Sequence, residues 1–427
     1  MMRSDLPPPG MPWNGFSPAR RWTMLAVLFL VSTVSFIDRS ILQILLESIR
    51  REFEMSDRML GLLSGAPFAI CYAALSIPFG RAADRGNRKW LLIVALALWS
   101  VMTGLCGVAP TLTFLFFARM GVGAGEGGAV PPSHALIADY FPPGQRSRAF
   151  GILNMAATAG PLIAMVGGAW IAQLYGWRVA FLLMAGLSLP IGLLAAIVLK
   201  EPARHALKAG KAGGDGMMDE VRVLFRKRSF VFLLAGLTCY SLFTAGPMIF
   251  APTYLVRVLE MDLVQGGAVF ALATALGTIV GTIGGGHIGD KLAQRDERWL
   301  VWLPAAGMTL ACPVAMAAFA VTSLVHVFIL FFVLATLLMA AIPVLYSAVQ
   351  HICGSQRRAL ASAIVMASLH AIGMTIGPLA TGAISDFLAP AVGVVSLRYA
   401  IILMTSSLIP AIVCLCFAAR TVRSDAE

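Results

Sequence analysis

The sequence has little charge for its length. The 32 Lys and Arg and the 21 Asp and Glu residues make up only 12% of the 427 residues, whereas 59% of the residues are hydrophobic. Soluble domains carry about 25% charged and about 45–50% apolar residues. Because burial inside a water-soluble fold does not account for this excess of apolar residues, we infer that much of the surface faces lipid.

The sequence also lacks the motifs of common enzymes and of nucleotide-driven pumps. It has no G-x-x-x-x-G-K-[ST] phosphate loop, no H-E-x-x-H zinc motif and no nucleophile elbow. Six of the seven cysteines fall in apolar segments and Cys353 in a predicted cytoplasmic loop, so we expect no disulfide and no metal site. We therefore predict no enzyme and no cofactor, and an ATP-driven pump would need a separate subunit. The lack of a repeated filter segment and of a soluble domain disfavours a channel and a membrane sensor.

Apolar segments separated by charged clusters predict twelve membrane-spanning helices. A helix that crosses the hydrocarbon core needs about 20 mostly apolar residues. The segments do not alternate between polar and apolar residues, which argues against a transmembrane β-barrel. The predicted fold class is therefore an all-α membrane protein, with helices near residues 22–46, 59–82, 88–109, 112–138, 149–174, 179–199, 229–257, 265–289, 299–322, 326–350, 360–387 and 398–419.

Basic residues lie mostly on one side of the predicted membrane. If the N-terminus is cytoplasmic, 24 of the 32 Lys and Arg residues fall in cytoplasmic segments, six in outside loops and two within helices. This positive-inside pattern predicts that both termini are cytoplasmic. The net charge of +11 therefore reflects topology rather than nucleic-acid binding. We expect a multi-pass protein of a bacterial inner (plasma) membrane.

The chain divides into two similar halves. A G-x-x-x-D pattern starts at Gly80 and again, 206 residues later, at Gly286, and Arg148-Ala149 recurs as Arg358-Ala359 after 210 residues. These offsets indicate an internal duplication, as in rocking-bundle transporters. The predicted organisation is a cytoplasmic tail at 1–21, a six-helix bundle at 22–199, a polar cytoplasmic linker at 200–228, a second six-helix bundle at 229–419 and a cytoplasmic tail at 420–427.

Four ionisable residues lie deep within the predicted helices. Asp38 and Arg39 are in helix 1, and Arg119 and Glu126 share one face of helix 4. An unpaired charge in the membrane costs at least about 2.5–3.5 kcal/mol, so we expect the four residues to pair. The pairs could simply clamp the two helices together. The alternative is a proton-coupled switch, in which Asp38 and Glu126 take up protons and the arginines are their partners, because burial favours the neutral form of a carboxyl group.

The loops after helices 2 and 8 contain candidate gating residues. Gly80 allows close helix approach. Asp84 can bond to the loop arginines and to a neighbouring helix N-terminus. Arg85 and Arg88 could by themselves be topology charges, and Asp290 is the counterpart of Asp84 in the second half.

Several motifs resemble those of a known family. The loop from Gly80 to Lys89 is similar to the signature of the major facilitator superfamily, G-x-x-x-D-R-x-G-x-R-K, with Asn87 in place of the later glycine. Three further motifs look like those of the Spinster branch, whose members are lipid transporters, although organic-anion symporters share the second: Phe36-Ile37-Asp38-Arg39, Gly123-Ala124-Gly125-Glu126-Gly127 and Gly176-Trp177-Arg178.

The resemblance implies two six-helix bundles that work by alternating access, with the loop around Asp84 as an inside latch. It also implies a central cavity lined by helices 1, 4, 7 and 10. Candidate lining residues, each of which could instead be a packing residue, are Tyr240, Phe243, Thr244 and Tyr346, with His370 on helix 11 as a candidate proton relay.

The expected function is proton-coupled secondary transport of an amphiphilic, lysolipid-like substrate. The alternatives are a proton-coupled organic-anion symporter and a drug exporter of the same fold. Drug export is less favoured because Gly160-Pro161 and the later Gly167-Gly168 match the antiporter signature only in part. The expected partners are the substrate, protons and membrane lipids, and we expect a monomer that does not bind nucleic acid.

Overall fold

The described part of the chain folds into helices joined by short turns. The computed structural model describes residues 12–202 and 217–425. Its α-helices are α1 Pro18–Phe53, α2 Asp57–Arg85, α3 Arg88–Gly107, α4 Leu112–Gly127, α5 Val130–Tyr140, α6 Pro143–Asn154, α7 Ala156–Ile163, α8 Ala169–Tyr175, α9 Trp177–Val198, α10 Met217–Arg226, α11 Arg228–Arg257, α12 Leu263–Ala293, α13 Trp299–Ala318, α14 Leu324–Ser368, α15 Met374–Val392, α16 Ser396–Met404 and α17 Leu408–Asp425. Short 3-10 helices cover Pro12–Gly15, Gly393–Val395 and Thr405–Ser407.

The lengths of the apolar helices are consistent with twelve membrane crossings. Ten stretches of the described chain are long and apolar enough to cross a membrane. One of them, Leu360–Asp425, has 66 residues, which is enough for two crossings, and the chain turns within it at Gly393, whose φ is 63°. Residues 112–140 supply one more crossing, because a break at residues 128–129 divides this span into α4 and α5, of 16 and 11 residues.

Helix α14 continues through a predicted loop. The sequence predicts a loop over residues 351–359, but these residues are helical, and Cys353 is buried in the helix. The stretch contains no proline and only one glycine, so little in it opposes helix formation. The chain nevertheless reverses direction here, because Tyr346 and Met366 are in contact although a straight helix would separate them by about 30 Å. The side chains of Arg358 and Ala359 lie outside the described residues.

Two π-helical segments occupy equivalent places in the two halves of the sequence. Ala164–Gly168 lies between α7 and α8, and Leu369–Gly373 lies between α14 and α15. Their first residues are 205 positions apart, close to the spacing of 206 between the two glycine–aspartate motifs. π-Helical turns are rare and often lie at functional sites. Their matching positions support an internal duplication.

The described residues form two compact units. The first comprises residues 12–41, 70–164 and 175–202, and the second comprises residues 42–69, 165–174 and 217–425. In the first unit α3 packs against α4 and α9, and Trp99 and Phe181 are fully buried. The second unit contains the C-terminal end of α1 and the N-terminal end of α2 together with the helices of the second half.

Glycine at every fourth residue of α12 brings this helix close to α14 in the second unit. A Cβ atom at Gly281 would lie 2.4 Å from the backbone oxygen of Thr336, and one at Gly285 would lie 2.3 Å from that of Ala340. Small residues allow two membrane helices to approach until their backbones touch. The face that holds α12 against α14 is therefore set by glycine spacing.

Candidate functional site

Glu126 is held by two side chains from one face of α1. Ser35 donates a 2.9 Å hydrogen bond from its Oγ to Glu126 Oε2, and Arg39 Nε pairs with the same oxygen. Ser35 and Arg39 are four residues apart and are therefore neighbours on the helix surface. The Glu126 side chain is fully buried, and that of Arg39 is 19% exposed. This ion pair joins α1 to α4 within the first unit.

Asp38 lies in the same cluster. Its side chain is fully buried, and Thr103 of α3 donates a 3.3 Å hydrogen bond to its Oδ2. Arg119, which is almost fully buried, and Glu126 both act on Asp38 electrostatically. The structure thus brings together the four charged residues singled out in the sequence, two of each sign.

The two carboxylates of this cluster, those of Asp38 and Glu126, each have one oxygen that is not hydrogen bonded. Among the residues that the structure describes, no donor reaches Asp38 Oδ1 or Glu126 Oε1. A buried acceptor without a donor is costly, and a buried ionised group more so. The two carboxyl groups are therefore the least satisfied polar groups of this cluster.

The glycines around Glu126 bring α4 close to its neighbours. A Cβ atom at Gly125 would lie 2.7 Å from the backbone nitrogen of Trp99 in α3, and one at Gly127 would lie 2.8 Å from the backbone oxygen of Tyr72 in α2. The glycine–glutamate motif therefore packs α4 against two backbones at once, which excludes solvent from the carboxyl group.

Two aromatic rings flank the Arg39 guanidinium. Its central carbon lies 4.8 Å from the centre of the Tyr72 ring and 5.4 Å from that of Phe36. Such cation–π contacts stabilise a desolvated cation. Tyr72 also hydrogen bonds to Arg39. Tyr72, Ser35 and Thr103 could not be predicted from the sequence, because a neutral polar residue in an apolar helix gives no charge signal.

Arg88 ties the start of α3 to the ends of two other helices of the first unit. Its Nε donates a 3.1 Å hydrogen bond to the backbone oxygen of Ala83 in α2, and its Nη1 pairs with Asp139 of α5. The sequence analysis did not single out Asp139, although an acidic residue at the end of a predicted helix, on the side of the basic loops, was a usable signal.

The N-terminus of α3 is closed by two further polar groups. Asn87 accepts a 2.9 Å hydrogen bond from the backbone N–H of Trp90, and Glu201 accepts a 3.0 Å bond from that of Lys89. Asparagine is a favoured N-cap and a carboxylate is stabilised at this end of a helix. This explains why Asn87, where the family signature has glycine, fits the local structure.

The other predicted gating residues are less constrained by the structure. The side chains of Asp84 and Arg85 lie outside the described residues, although their backbone ends α2. A Cβ atom at Gly80 would lie 3.9 Å from Pro131, which is an ordinary contact. The approach of α2 to α5 at this point therefore does not require glycine, contrary to the expectation from the sequence. Asp290, in α12, is exposed.

Two of the predicted cavity residues are packed in the core of the second unit. Tyr240 is 2% exposed and donates a 3.1 Å hydrogen bond to the backbone oxygen of Leu338 in α14. Phe243, three residues later on the same face of α11, is fully buried. This face of α11 points towards α14, so the two rings serve packing here.

The remaining lining candidates are partly exposed. Tyr346 donates a 3.0 Å hydrogen bond to Met366 Sδ, and His370 Nδ1 lies 2.9 Å from the backbone oxygen of Met366. His370 belongs to the π-helical segment Leu369–Gly373. Thr244 bonds within its own helix. Tyr346 and His370 thus both contact Met366.

A second charged cluster lies in the second unit, and we call it the Arg257 cluster. Arg257, in α11, donates a 2.7 Å hydrogen bond to Glu47 of α1 and bonds of 2.7 and 2.8 Å to the two carboxylate oxygens of Asp57 in α2. Ser385 of α15 donates a 2.6 Å bond to Asp57. The side chains of Glu47, Asp57 and Arg257 are at most 9% exposed. The sequence analysis missed this cluster, because its members are far apart in the chain.

The backbone around this cluster is also tightly packed. Asp386 accepts 2.8 Å hydrogen bonds from the backbone N–H groups of Asp57 and Arg58 and so caps α2. A Cβ atom at Gly61 would lie 2.1 Å from the backbone oxygen of Pro378, and one at Gly382 would lie 2.0 Å from that of Asp57. A cavity of about 850 Å³ lies beside the cluster, and Glu47, Asp57 and Arg257 line it.

Comparison with known proteins gives one consistent family. The sequence model of the Major Facilitator Superfamily matches residues 28–378. An "MFS-type efflux pump" of Mycolicibacterium smegmatis is 32% identical over 92% of this chain and 90% of its own. "Protein spinster homolog 1" of Xenopus tropicalis is 28% identical over 87% of this chain and 74% of its own.

A solved structure matches the fold over nearly the whole length. It is the crystal structure of a bacterial homolog to the human lysosomal transporter Spinster, in an inward-facing and unoccupied conformation. The TM-score is 0.87 at 26% sequence identity, and the match covers 96% of this chain and 99% of the other.

Proposed function

The chain belongs to the major facilitator superfamily, resembles the Spinster branch of it, and is a multi-pass membrane transporter with the superfamily's twelve-helix fold. From this premise we propose that it couples substrate movement to protons. The proposed mechanism is alternating access. The proposed substrate is an amphiphilic, lysolipid-like molecule.

The observation that carries the proposal is the shared oxygen of Glu126. Arg39 and Ser35, both on α1, bind the same carboxylate oxygen of a residue on α4. Protonation of Glu126 removes its charge and leaves the largely buried cation of Arg39 without its counter-ion, which is unfavourable. Uptake of one proton at this position is therefore linked to a change in how α1 contacts α4.

Asp38 is the second proposed proton site. It is fully buried, and it lies within the electrostatic reach of both Arg119 and Glu126. Two carboxyls in one buried site cannot easily be ionised together, so protonation of one favours ionisation of the other. Asp38 and Glu126 are thus proposed as a coupled pair, with Arg119 and Arg39 as their partners.

Gating is assigned to two groups of residues. Alternating access needs contacts that form in one state and break in the other. On the predicted cytoplasmic side we propose Asp84 and the Arg88–Asp139 pair, with Asp290 as a weaker counterpart in the second half. On the other side we propose the Arg257 cluster. The topology from which these sides are named, with both termini in the cytoplasm of a bacterial inner membrane, is part of the proposal and is supported by the excess of basic residues.

The substrate class is proposed from the relatives. The resemblance of three sequence motifs to those of the Spinster lipid transporters favours an amphiphilic lipid-like molecule. A drug exporter is the second candidate, and the observation that favours it is the 32% identity to the M. smegmatis efflux pump. Thr244, Tyr346 and His370 are the proposed contacts for the substrate, because they are partly exposed.

Uptake into proteoliposomes tests the proposal. The purified protein is reconstituted and offered a lysophospholipid, an organic anion and a cationic drug, each with and without a pH gradient. We expect one class to accumulate only with the gradient and to be lost when a protonophore is added. Substrate flux that does not depend on the pH gradient, together with conductance in planar bilayers, would identify a channel and contradict the proposal.

A further inference from the structure

A small cavity lies at one end of the second unit, between α10, α11 and α17. Its volume is about 400 Å³. Among the residues that line it are Phe225, Arg228, Val231, Phe232, Phe417 and Arg420. None of these belongs to the proposed proton site or to the gating residues. The cavity combines exposed apolar side chains with two arginines.

The apolar part of the cavity offers a surface against which a hydrocarbon group can pack. The rings of Phe232 and Phe417 stack with their centres 5.5 Å apart and an angle of 25° between their planes. Phe225 and Phe417 are 46% and 42% exposed, and Val231 is 38% exposed. A membrane protein exposes such side chains to lipid tails, so this part of the cavity lies where acyl chains are available.

The two arginines lie where the apolar helices end. Arg228 is the first residue of α11, and Arg420 lies one turn beyond the exposed ring of Phe417, with its guanidinium carbon 5.4 Å from the centre of that ring. Both side chains are exposed. Within the described ranges, no carboxylate pairs with either. Because the apolar helices end here, we expect both guanidinium groups to lie near the lipid headgroups.

Two carboxylates near the end of α17 have partners of their own. Arg423 pairs with Asp296 at 2.9 Å. The backbone N–H of Arg298 and the guanidinium of Arg423 hold the pKa of Asp296 below its ordinary value. The carboxylate of Asp425 accepts hydrogen bonds from the backbone and hydroxyl of Ser229, at 2.9 and 2.8 Å. Among the described contacts, neither carboxylate binds Arg228 or Arg420, so both guanidinium groups are able to bind a ligand from outside the chain.

We propose that this cavity binds a membrane phospholipid with an anionic headgroup. The phosphate lies between Arg228 and Arg420, and an acyl chain lies along the stacked rings of Phe232 and Phe417. Basic pockets at the cytoplasmic ends of membrane helices are typical sites for anionic headgroups. The apolar lining distinguishes this ligand from free phosphate, which would leave the aromatic surface uncovered. The inference does not depend on what the protein transports.

The experiment measures lipid binding to the full-length protein without any transport assay. The protein in detergent is titrated with phosphatidylglycerol, and bound lipid is counted by native mass spectrometry while thermal unfolding is followed in parallel. Phosphatidylcholine with the same acyl chains and inorganic phosphate are the comparison ligands. We expect retained phosphatidylglycerol and a rise in melting temperature that neither comparison ligand reproduces.

The test variants are Arg228→Gln and Arg420→Gln, singly and combined. We expect each to weaken phosphatidylglycerol binding about fivefold, since one arginine near an anionic lipid contributes about 1 kcal/mol. Arg222→Gln, an exposed arginine of α10 outside the cavity, is the matched control and should bind like the wild type. Size-exclusion profiles confirm folding, and the single variants remain informative if the double variant does not fold.

Three outcomes would overturn the proposal. Equal binding of phosphatidylglycerol by the wild type and the double variant would exclude Arg228 and Arg420 as ligands. Equal retention of phosphatidylcholine would exclude recognition of the headgroup charge. A melting shift produced by inorganic phosphate alone would replace the lipid site with a simple anion site.

Discussion

At the scale of single residues, Arg39 is the link between a titratable group and the shape of α1. Its guanidinium binds Glu126 on one side and lies over the rings of Tyr72 and Phe36 on others. If Glu126 becomes neutral, the Tyr72 and Phe36 rings are the contacts that can still hold the Arg39 guanidinium in place. We therefore expect Tyr72 to act as a positioning residue for the proposed proton site.

Two substitutions of Tyr72 distinguish the contribution of its ring from that of its hydroxyl group. We expect Tyr72→Leu to lower the free energy of unfolding by about 0.5–2 kcal/mol, because it removes the cation–π contact. Tyr72→Phe keeps the ring and should lose less. Chemical unfolding in detergent measures both, and Tyr175→Leu, at a tyrosine that is 65% exposed, is the control. Equal losses for Phe and Leu would show that the ring does not support Arg39.

Charged residues of the candidate site could be predicted from the sequence, whereas their neutral partners could not. A charge in an apolar helix is costly, so Asp38 and Glu126 stand out in a single chain. Ser35 and Thr103 cost little wherever they face, and only the packing of α1, α3 and α4 shows that they bind carboxylates. The Arg257 cluster was hidden for a related reason, since Glu47 and Arg257 are 210 positions apart.

At the scale of elements, glycine spacing decides which helix faces meet. Gly281 lies on the face of α12 that touches α14, whereas a Cβ atom at Gly284 would meet nothing within 4 Å. The two residues lie in the same helix and have the same intrinsic cost there. They therefore form a matched pair.

We expect Gly281→Ala to destabilise the protein by about 1–3 kcal/mol, because the new methyl group would lie 2.4 Å from the Thr336 oxygen and force the helices apart. Gly284→Ala should be neutral or stabilising by up to about 1 kcal/mol, since alanine favours helix. Thermal unfolding of both variants in the same detergent compares their stabilities. A Gly284 variant that is the less stable of the two would contradict the packing account.

Helix existence was predictable from hydropathy, and the finer form of several helices was not. The apolar runs gave segments near all of the long helices. The π-helical segments Ala164–Gly168 and Leu369–Gly373 have no composition that distinguishes them from their flanks. The helical form of residues 351–359 was missed because charged residues suggested a loop, although the stretch contains no proline and only one glycine.

At the scale of the whole molecule, the Arg257 cluster is a part of the second unit that should respond strongly to loss of one charge. Asp57 receives two hydrogen bonds from Arg257 and one from Ser385. Removing one partner of a buried ion pair costs about 3–5 kcal/mol, because the other charge stays buried. We expect Asp57→Asn to open the cavity beside the cluster.

Alkylation of a cysteine introduced at Ser48, which lines that cavity, measures the opening. In a chain whose native cysteines are replaced by serine, Asp57→Asn should raise the labelling rate. Glu260→Gln, at an exposed carboxylate lining the same cavity, should not change it. Equal labelling rates with and without Asp57→Asn would show that the cluster does not hold this region closed.

Proton coupling through Glu126 is the central claim, and one variant tests it most directly. Glu126→Gln keeps nearly the same volume and hydrogen-bonding reach but cannot titrate. Gradient-driven uptake, substrate exchange and thermal stability are measured on one preparation, with Glu260→Gln as the control. We predict a folded Glu126→Gln protein that binds and exchanges substrate but no longer accumulates it in response to a pH gradient. A loss of about 3–5 kcal/mol of stability would instead indicate a structural clamp between α1 and α4, and full gradient-driven uptake by a stable Glu126→Gln protein would contradict the account.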